Sequence, residues 1–157
     1  MTYILAIDPG LRTGIALTRF EDDEPAALLG TWDVPGGVDG FIEWLDDTWD
    51  ADPYRSDDYF VVYEKFIPRE GRHGVGTDAS EVIGALLYWA KKRWIPIVSQ
   101  PPAGRMKAVP NEVLDKFHKF SGNKDRNVKE AFRHSLWYLK NALHMPTIRR
   151  GWGGGND

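Results

Sequence analysis

The stretch that most constrains this chain is residues 4–17, where two short apolar runs flank a polar break that begins at Asp8. Ile4-Leu5-Ala6-Ile7 and Ile15-Ala16-Leu17 are rich in Ile and Leu and bounded by turn residues, so each reads as a buried strand. Pro9 and Gly10 turn the chain just after Asp8. Gly14 lets the second strand approach another part of the molecule closely. A hairpin is expected, with a carboxylate at the end of its first buried strand. A plain turn capped by the same Asp fits this stretch equally well.

The rest of the chain extends the hairpin into an α/β fold. Strands are expected over 3–8, 13–19, 26–32, 59–64 and 95–98, with the last at an edge because Pro96 cannot donate to a ladder. Helices are expected over 38–49, from Asp78 to Arg93, near 111–118 and over 125–143; Asp50 to Asp58 reads as an acidic loop and 65–77 as a glycine-rich basic loop. Parallel strands joined through helices then make one mixed five-stranded sheet with helices on both faces. One domain over 1–145 is expected, followed by a frayed tail, 146–157.

Composition removes several classes. The chain has no cysteine, so a metal would rest on carboxylate or imidazole. No run approaches the roughly 18 apolar residues of a membrane span and no basic-plus-apolar leader is visible, so a soluble cytoplasmic protein is expected. The net charge of −3 hides an asymmetry. Residues 21–58 hold 13 acids against Arg55 alone, whereas 64–150 hold 17 Lys and Arg against 8 acids. Such a division predicts a basic working surface offset by an acidic back.

Two strands end in acids, Asp8 and Glu64. On the last helix, at about 100° per residue, Val128, Phe132, Ser135, Leu136, Leu139 and Leu143 share a core sector. Arg126, Lys129, Arg133 and Lys140 lie opposite, and Asn127, Glu130 and His134 stack between the two sectors. Glu130 is a candidate third acid; its alternative is an ordinary intrahelical pair with His134, Arg126 or Arg133. Three carboxylates at one end of a sheet would select Mg²⁺ or Mn²⁺. Two such ions about 3.5–4 Å apart hydrolyse phosphodiesters by activating water and stabilising the leaving oxygen. Basic side chains near them would meet the polyanion.

The arrangement resembles the RuvC-type Holliday-junction resolvases of the RNase H-like superfamily, most closely their phage-encoded branch, over residues 3–143. Ile7-Asp8-Pro9-Gly10-Leu11-Arg12-Thr13-Gly14 is similar to the family's first-strand signature and Val62-Tyr63-Glu64 to its second acid. Ser80 to Ala90 resembles the helix through which bacterial members dimerise. Val98-Ser99-Gln100-Pro101-Pro102 to Lys107-Ala108-Val109 resembles the fifth strand and the lysine beyond it. Glu130-Ala131-Phe132-Arg133-His134 resembles the phage motif of acid, Ala, any residue, Arg and His. The resemblance implies a homodimeric endonuclease that cuts Holliday junctions, forks or flaps with two Mg²⁺ or Mn²⁺ ions, in the host cytoplasm if phage-encoded.

By the same resemblance Asp8, Glu64, Glu130 and His134 are catalytic, and Asp8, Glu64, Glu130 and Asn127 hold metal. Arg12, Lys65, Phe66, Arg69, Arg72, Arg105 and Lys107 face DNA, with Phe66, or else Ile67, as an aromatic or apolar wedge. The family usually carries Asp where this chain has Asn127 and Glu130, so either Asn127 or His134 completes the site. His134 is favoured, as a ligand, a general acid or a residue that orients Glu130. Three other readings compete. An actin-like sugar kinase would grip ATP phosphate with Asp8, Gly10 and Thr13, an inactive module would bind branched DNA without cutting it, and an RNA-processing relative would act on RNA.

Overall fold

The computed structural model describes residues 1–53, 58–68 and 77–153. Its centre is β1 (Thr2–Asp8), whose residues Ile4 to Ile7 are all fully buried, as expected for a strand covered on both faces. β1 runs antiparallel to β2 (Thr13–Glu21), which pairs antiparallel with β3 (Glu24–Val34). On its other side β1 runs parallel to β4 (Tyr59–Glu64), which runs parallel to the edge strand β5 (Ile97–Gln100). The sheet order is β3-β2-β1-β4-β5, the expected meander joined to two parallel strands.

Alternation along the strands divides the core in two. Leu5, Ile7, Ile15 and Val61 face α1 (Gly37–Trp44, continued by a π-helical turn over Leu45–Trp49) and α2 (Thr77–Lys92). Trp44 and Trp49 stack here at 5.8 Å, with Trp32 edge-on to both. Ile4, Ala6, Ala16 and Val62 face the opposite layer. That layer contains α3 (Arg105–Ala108), α4 (Asn111–Asp115), α5 (Arg126–Asn141) and α6 (Met145–Trp152).

Four expectations are corrected. β5 starts at Ile97, not 95; the Pro96 carbonyl accepts from Val61 N–H, but its nitrogen has no proton to give. α4 ends at Asp115 and passes into hydrogen-bonded turns instead of reaching 118. α5 stops at Asn141, and Leu143, expected in the core, takes a positive φ of 58° and is 73% exposed. The tail expected to fray from 146 is helical through Trp152. His144 caps it on the sheet: its Nε2 donates to the Glu21 carbonyl, and Thr147 Oγ1 accepts from Ala26 N–H at 2.9 Å.

Gly14 makes the close approach expected of it. A Cβ there would lie 2.1 Å from the Asn127 carbonyl oxygen, because the first turn of α5 rests on this strand. Gly14→Ala should therefore cost at least the ~1–3 kcal/mol typical of an overpacked core. The check is a lower denaturant midpoint at unchanged slope.

Candidate active site

The two-residue period that buries Ile4 and Ala6 against α5 carries Asp8 to the same face, at the end of β1. The same logic carries Glu64 there after Val62. Gln100 is the register partner of Glu64 and ends β5, and Asp33 is the register partner of Gly14 near the end of β3. One end of the sheet thus presents Asp33, Asp8, Glu64 and Gln100 beneath α5, with Gly14 in the gap where the helix enters. Brought together are Asp8, Glu64, Glu130 and His134, four ionisable side chains from three elements.

His134 is completely buried, and its ring joins two strands. The Gln100 amide orientation that satisfies its neighbours sets the nitrogen 2.7 Å from Nδ1, so Gln100 donates there. Nε2 then carries the ring proton and donates to Glu64 Oε2 at 2.8 Å. His134 therefore orients Glu64, where the sequence suggested Glu130, and both ring nitrogens are committed.

Glu130 is held by arginines. Arg133 Nε donates to its Oε2 at 3.2 Å and Nη2 to its Oε1 at 3.3 Å, so the intrahelical pairing weighed for Glu130 is made with Arg133. Arg133 was expected on the outer basic face; it is buried instead, because α3 and α4 fold over it. Its guanidinium also donates to the Val109 carbonyl and to Asn111 Oδ1. From the solvent side, Arg105 Nε donates to Glu130 Oε2 at 2.9 Å, and its Nη1 lies 3.6 Å from Glu64 Oε2. Burial works against the Arg105 charge, but Glu64, Glu130 and Asp8 outweigh it and hold its pKa above the ordinary value.

Asp8 has the opposite difficulty. Burial, then the charges of Glu64 and Glu130, push its carboxyl up to about 7, while Arg105 and Arg126 pull it down. Among the described residues no three His, Asp or Glu side chains converge closely enough to enclose an ion. The donor set nonetheless suits a hard divalent cation: the candidate ligands are oxygens, and the repulsion from Glu64 and Glu130 that adds to burial in keeping Asp8 protonated is what such a cation relieves.

The remaining candidates spread around this centre. The Asn127 amide donates to Asp33 Oδ1 at 3.5 Å, and Arg12 donates to Asp33 Oδ2 at 3.1 and 3.3 Å, so both lie toward β3. Lys65, Phe66 and Ile67 line a cleft of about 240 Å³ with Pro9, Glu64 and Arg105. Lys107 is exposed on α3, while Arg69 and Arg72 fall outside the described residues. Thr13 is buried, and its hydroxyl bridges the Gly10 N–H and carbonyl, an arrangement that does not leave it to grip a nucleotide phosphate. Sequence reasoning missed Gln100 and Asp33 as site residues. Gln100 was findable, because it ends the third parallel strand as Asp8 and Glu64 end the first two.

The mixed five-stranded sheet with helices on both faces is the fold of solved RuvC structures. The chain is similar to RuvC of Thermus thermophilus solved in complex with a Holliday junction substrate, with a TM-score of 0.68 and 16% identity over 92% of this chain and 98% of that one. A second Thermus thermophilus RuvC structure gives a TM-score of 0.63 and 16% identity, covering 90% and 97% of the two chains. The Fowlpox virus resolvase, solved with Holliday junction DNA, gives 0.56 and 14%, covering 88% and 99%. No protein-family model and no curated protein matches the sequence. No helix among the described residues is long and apolar enough to cross a membrane.

Two outcomes follow from the geometry. Folded Asp8 keeps its proton to about pH 7, whereas the unfolded side chain loses it near 3.8, so this group's contribution to stability falls as pH rises between those values. In metal-free protein, Asp8→Asn should therefore raise the melting temperature at pH 8 and change it little at pH 4. His134→Ala leaves a cavity and an unpaired buried amide, and should cost about 2–4 kcal/mol in denaturant unfolding.

Proposed function

We propose that the chain is a divalent-metal-dependent endonuclease that hydrolyses phosphodiester bonds in branched DNA, with Holliday junctions as its leading substrate and forks and flaps beside them. The observation that carries this reading is that Asp8 and Glu64 end neighbouring strands beneath α5, with Glu130 on that helix near enough to push the Asp8 carboxyl up, in a fold shared with resolvases solved on junction DNA. Fold and site support it together; neither would alone.

Asp8, Glu64 and Glu130 would hold two Mg²⁺ or Mn²⁺ ions, with the Asn127 amide oxygen beside them. The ions, when bound, supply an activated water and a stabilised leaving oxygen. The protein's own groups prepare the ligands. His134, fixed by Gln100, aims Glu64; Arg133, fixed by Asn111 and Val109, aims Glu130. We therefore assign His134 and Arg133 as positioning residues. Asp8 must give up the proton that burial favours before it can ligate. Arg12, Lys65, Arg105 and Lys107, with Arg69 and Arg72, would meet phosphates, and Phe66 in the cleft would stack on a base at the junction centre.

A homodimer through α2 is part of the proposal: Leu87 and Tyr88 lie exposed on that helix. So are a phage origin and action in the host cytoplasm. A second reading, a DNA-binding module that does not cut, is favoured by one observation: Arg105 pairs with both Glu64 and Glu130.

The test is cleavage of four-way, forked, duplex and single-stranded DNA side by side with Mg²⁺ or Mn²⁺. Four-way DNA should be cut preferentially. Asp8→Asn or Glu64→Gln should reduce cutting by about 100-fold or more while junction binding holds or tightens, since ligands are lost and negative charge falls. Near-normal cleavage by either variant would sink the mechanism, and binding without cleavage by the unaltered protein would select the second reading. His134→Ala should slow cleavage by about 10–100-fold, as the loss of a ligand's hydrogen-bond partner does.

A further inference from the structure

The two acids that meet Arg105 are held from opposite sides by unlike partners. On the inner side, Arg133 and His134 are 1% and 0% exposed and are tied to Asn111, Val109 and Gln100. Burial and these further hydrogen bonds hold both side chains in place. On the outer side, among the described residues, stands Arg105, its side chain 30% exposed. It is the first residue of the four-residue helix α3, preceded by Gly104 at a φ of 89°, and its Nη1 donates to the Pro102 carbonyl at 2.7 Å. Its guanidinium reaches the same atoms a cation would seek, Glu130 Oε2 and Glu64 Oε2. It also forms part of the wall of the cleft that holds Lys65 and Phe66, so a phosphate entering there meets Arg105 as it approaches the acids.

We propose that Arg105 is an internal competitor for the divalent ion, which couples ion loading to DNA binding; the inference rests on the nuclease reading above. In the free protein the guanidinium neutralises Glu64 and Glu130. When DNA enters, a backbone phosphate offers Arg105 a bidentate partner of the kind that guanidinium matches best. Arg105 turns to the phosphate, and both carboxylate oxygens are released to the ion while Arg133 and His134 keep them aimed. By linkage, whatever factor DNA adds to ion affinity, the ion adds to DNA affinity. A metal site that fills more readily when substrate is present is loaded less in idle protein than in protein with a seated junction.

The test reads ion binding in the absence of DNA. Mn²⁺ is titrated into unaltered protein, Arg105→Gln and Arg105→Ala, with free Mn²⁺ followed by electron paramagnetic resonance and folding checked by circular dichroism. Arg105→Gln keeps much of the side chain's bulk, so one variant stays interpretable if Arg105→Ala unfolds. Removing the guanidinium charge should tighten Mn²⁺ binding by about tenfold or more, within the usual range of coupling between sites. The double variant Arg105→Gln with Glu64→Gln should lose that gain. Equal or weaker Mn²⁺ affinity in the folded single variants overturns the proposal, as does a gain that survives the loss of Glu64.

Junction cleavage, measured separately, keeps the two ideas apart. Cutting by the unaltered protein with no Mn²⁺ gain in the variants leaves the nuclease and removes the competitor. A Mn²⁺ gain in a protein that cuts no DNA leaves the competitor of an ion site and removes the nuclease.

Discussion

Gly14 and the first turn of α5 meet backbone to backbone, and the approach of Glu130 and His134 to the strand-end acids depends on that contact. A helix laid over a sheet ordinarily stands off by the thickness of two side-chain layers. Here the missing Cβ lets Asn127 settle onto β2, so the next turns of α5 pass low over β1, β4 and β5. Glu130 and His134 then come within reach of Asp8 and Glu64, residues about 70 or more positions away in the chain. The apolar part of the same helix, Val128, Phe132, Leu136 and Leu139, supplies the burial that holds it there.

Gathering negative charge at one sheet end costs stability, and the fold offsets this with an unusual quantity of committed positive charge. Arg133 contributes a fully buried guanidinium and spends four hydrogen bonds on Glu130, Val109 and Asn111. Arg105 adds a second cation from the open side. Burial, together with what stays uncompensated, appears on Asp8, which holds its proton to about pH 7. Such strain is typical of places where a protein reserves a charge for chemistry instead of for folding.

Much of this was legible in the sequence, for local reasons. Strand alternation and the turn at Pro9-Gly10 locate Asp8; the aromatic, β-branched run 59–64 locates Glu64; helical periodicity sets Glu130 and His134 on one strip. The need for Gly14 could be read, though not what approaches it. What could not be read depends on distant segments. Arg133 looks like a surface residue on a helical wheel, because the wheel does not know that residues 105–115 cross over it. The sequence offered Glu130 as the partner of His134, where the structure has Glu64, because neighbours on one helix are visible in sequence and neighbours across a sheet are not. Residues 146–152 look polar and weak alone, and they fold because His144 and Thr147 find the sheet.

That last anchoring has a consequence for the molecule's behaviour in a crowded solution. β3 is the outer strand on its side of the sheet, and an outer strand offers unpaired N–H groups to any passing β-strand. Thr147 Oγ1 takes the Ala26 N–H, and the Thr147 hydroxyl is itself held by His144 Nδ1. α6 thereby lies along the rim as a guard. The short C-terminal helix, which adds nothing to the acid cluster, takes the Ala26 N–H at this border out of reach of a neighbouring copy.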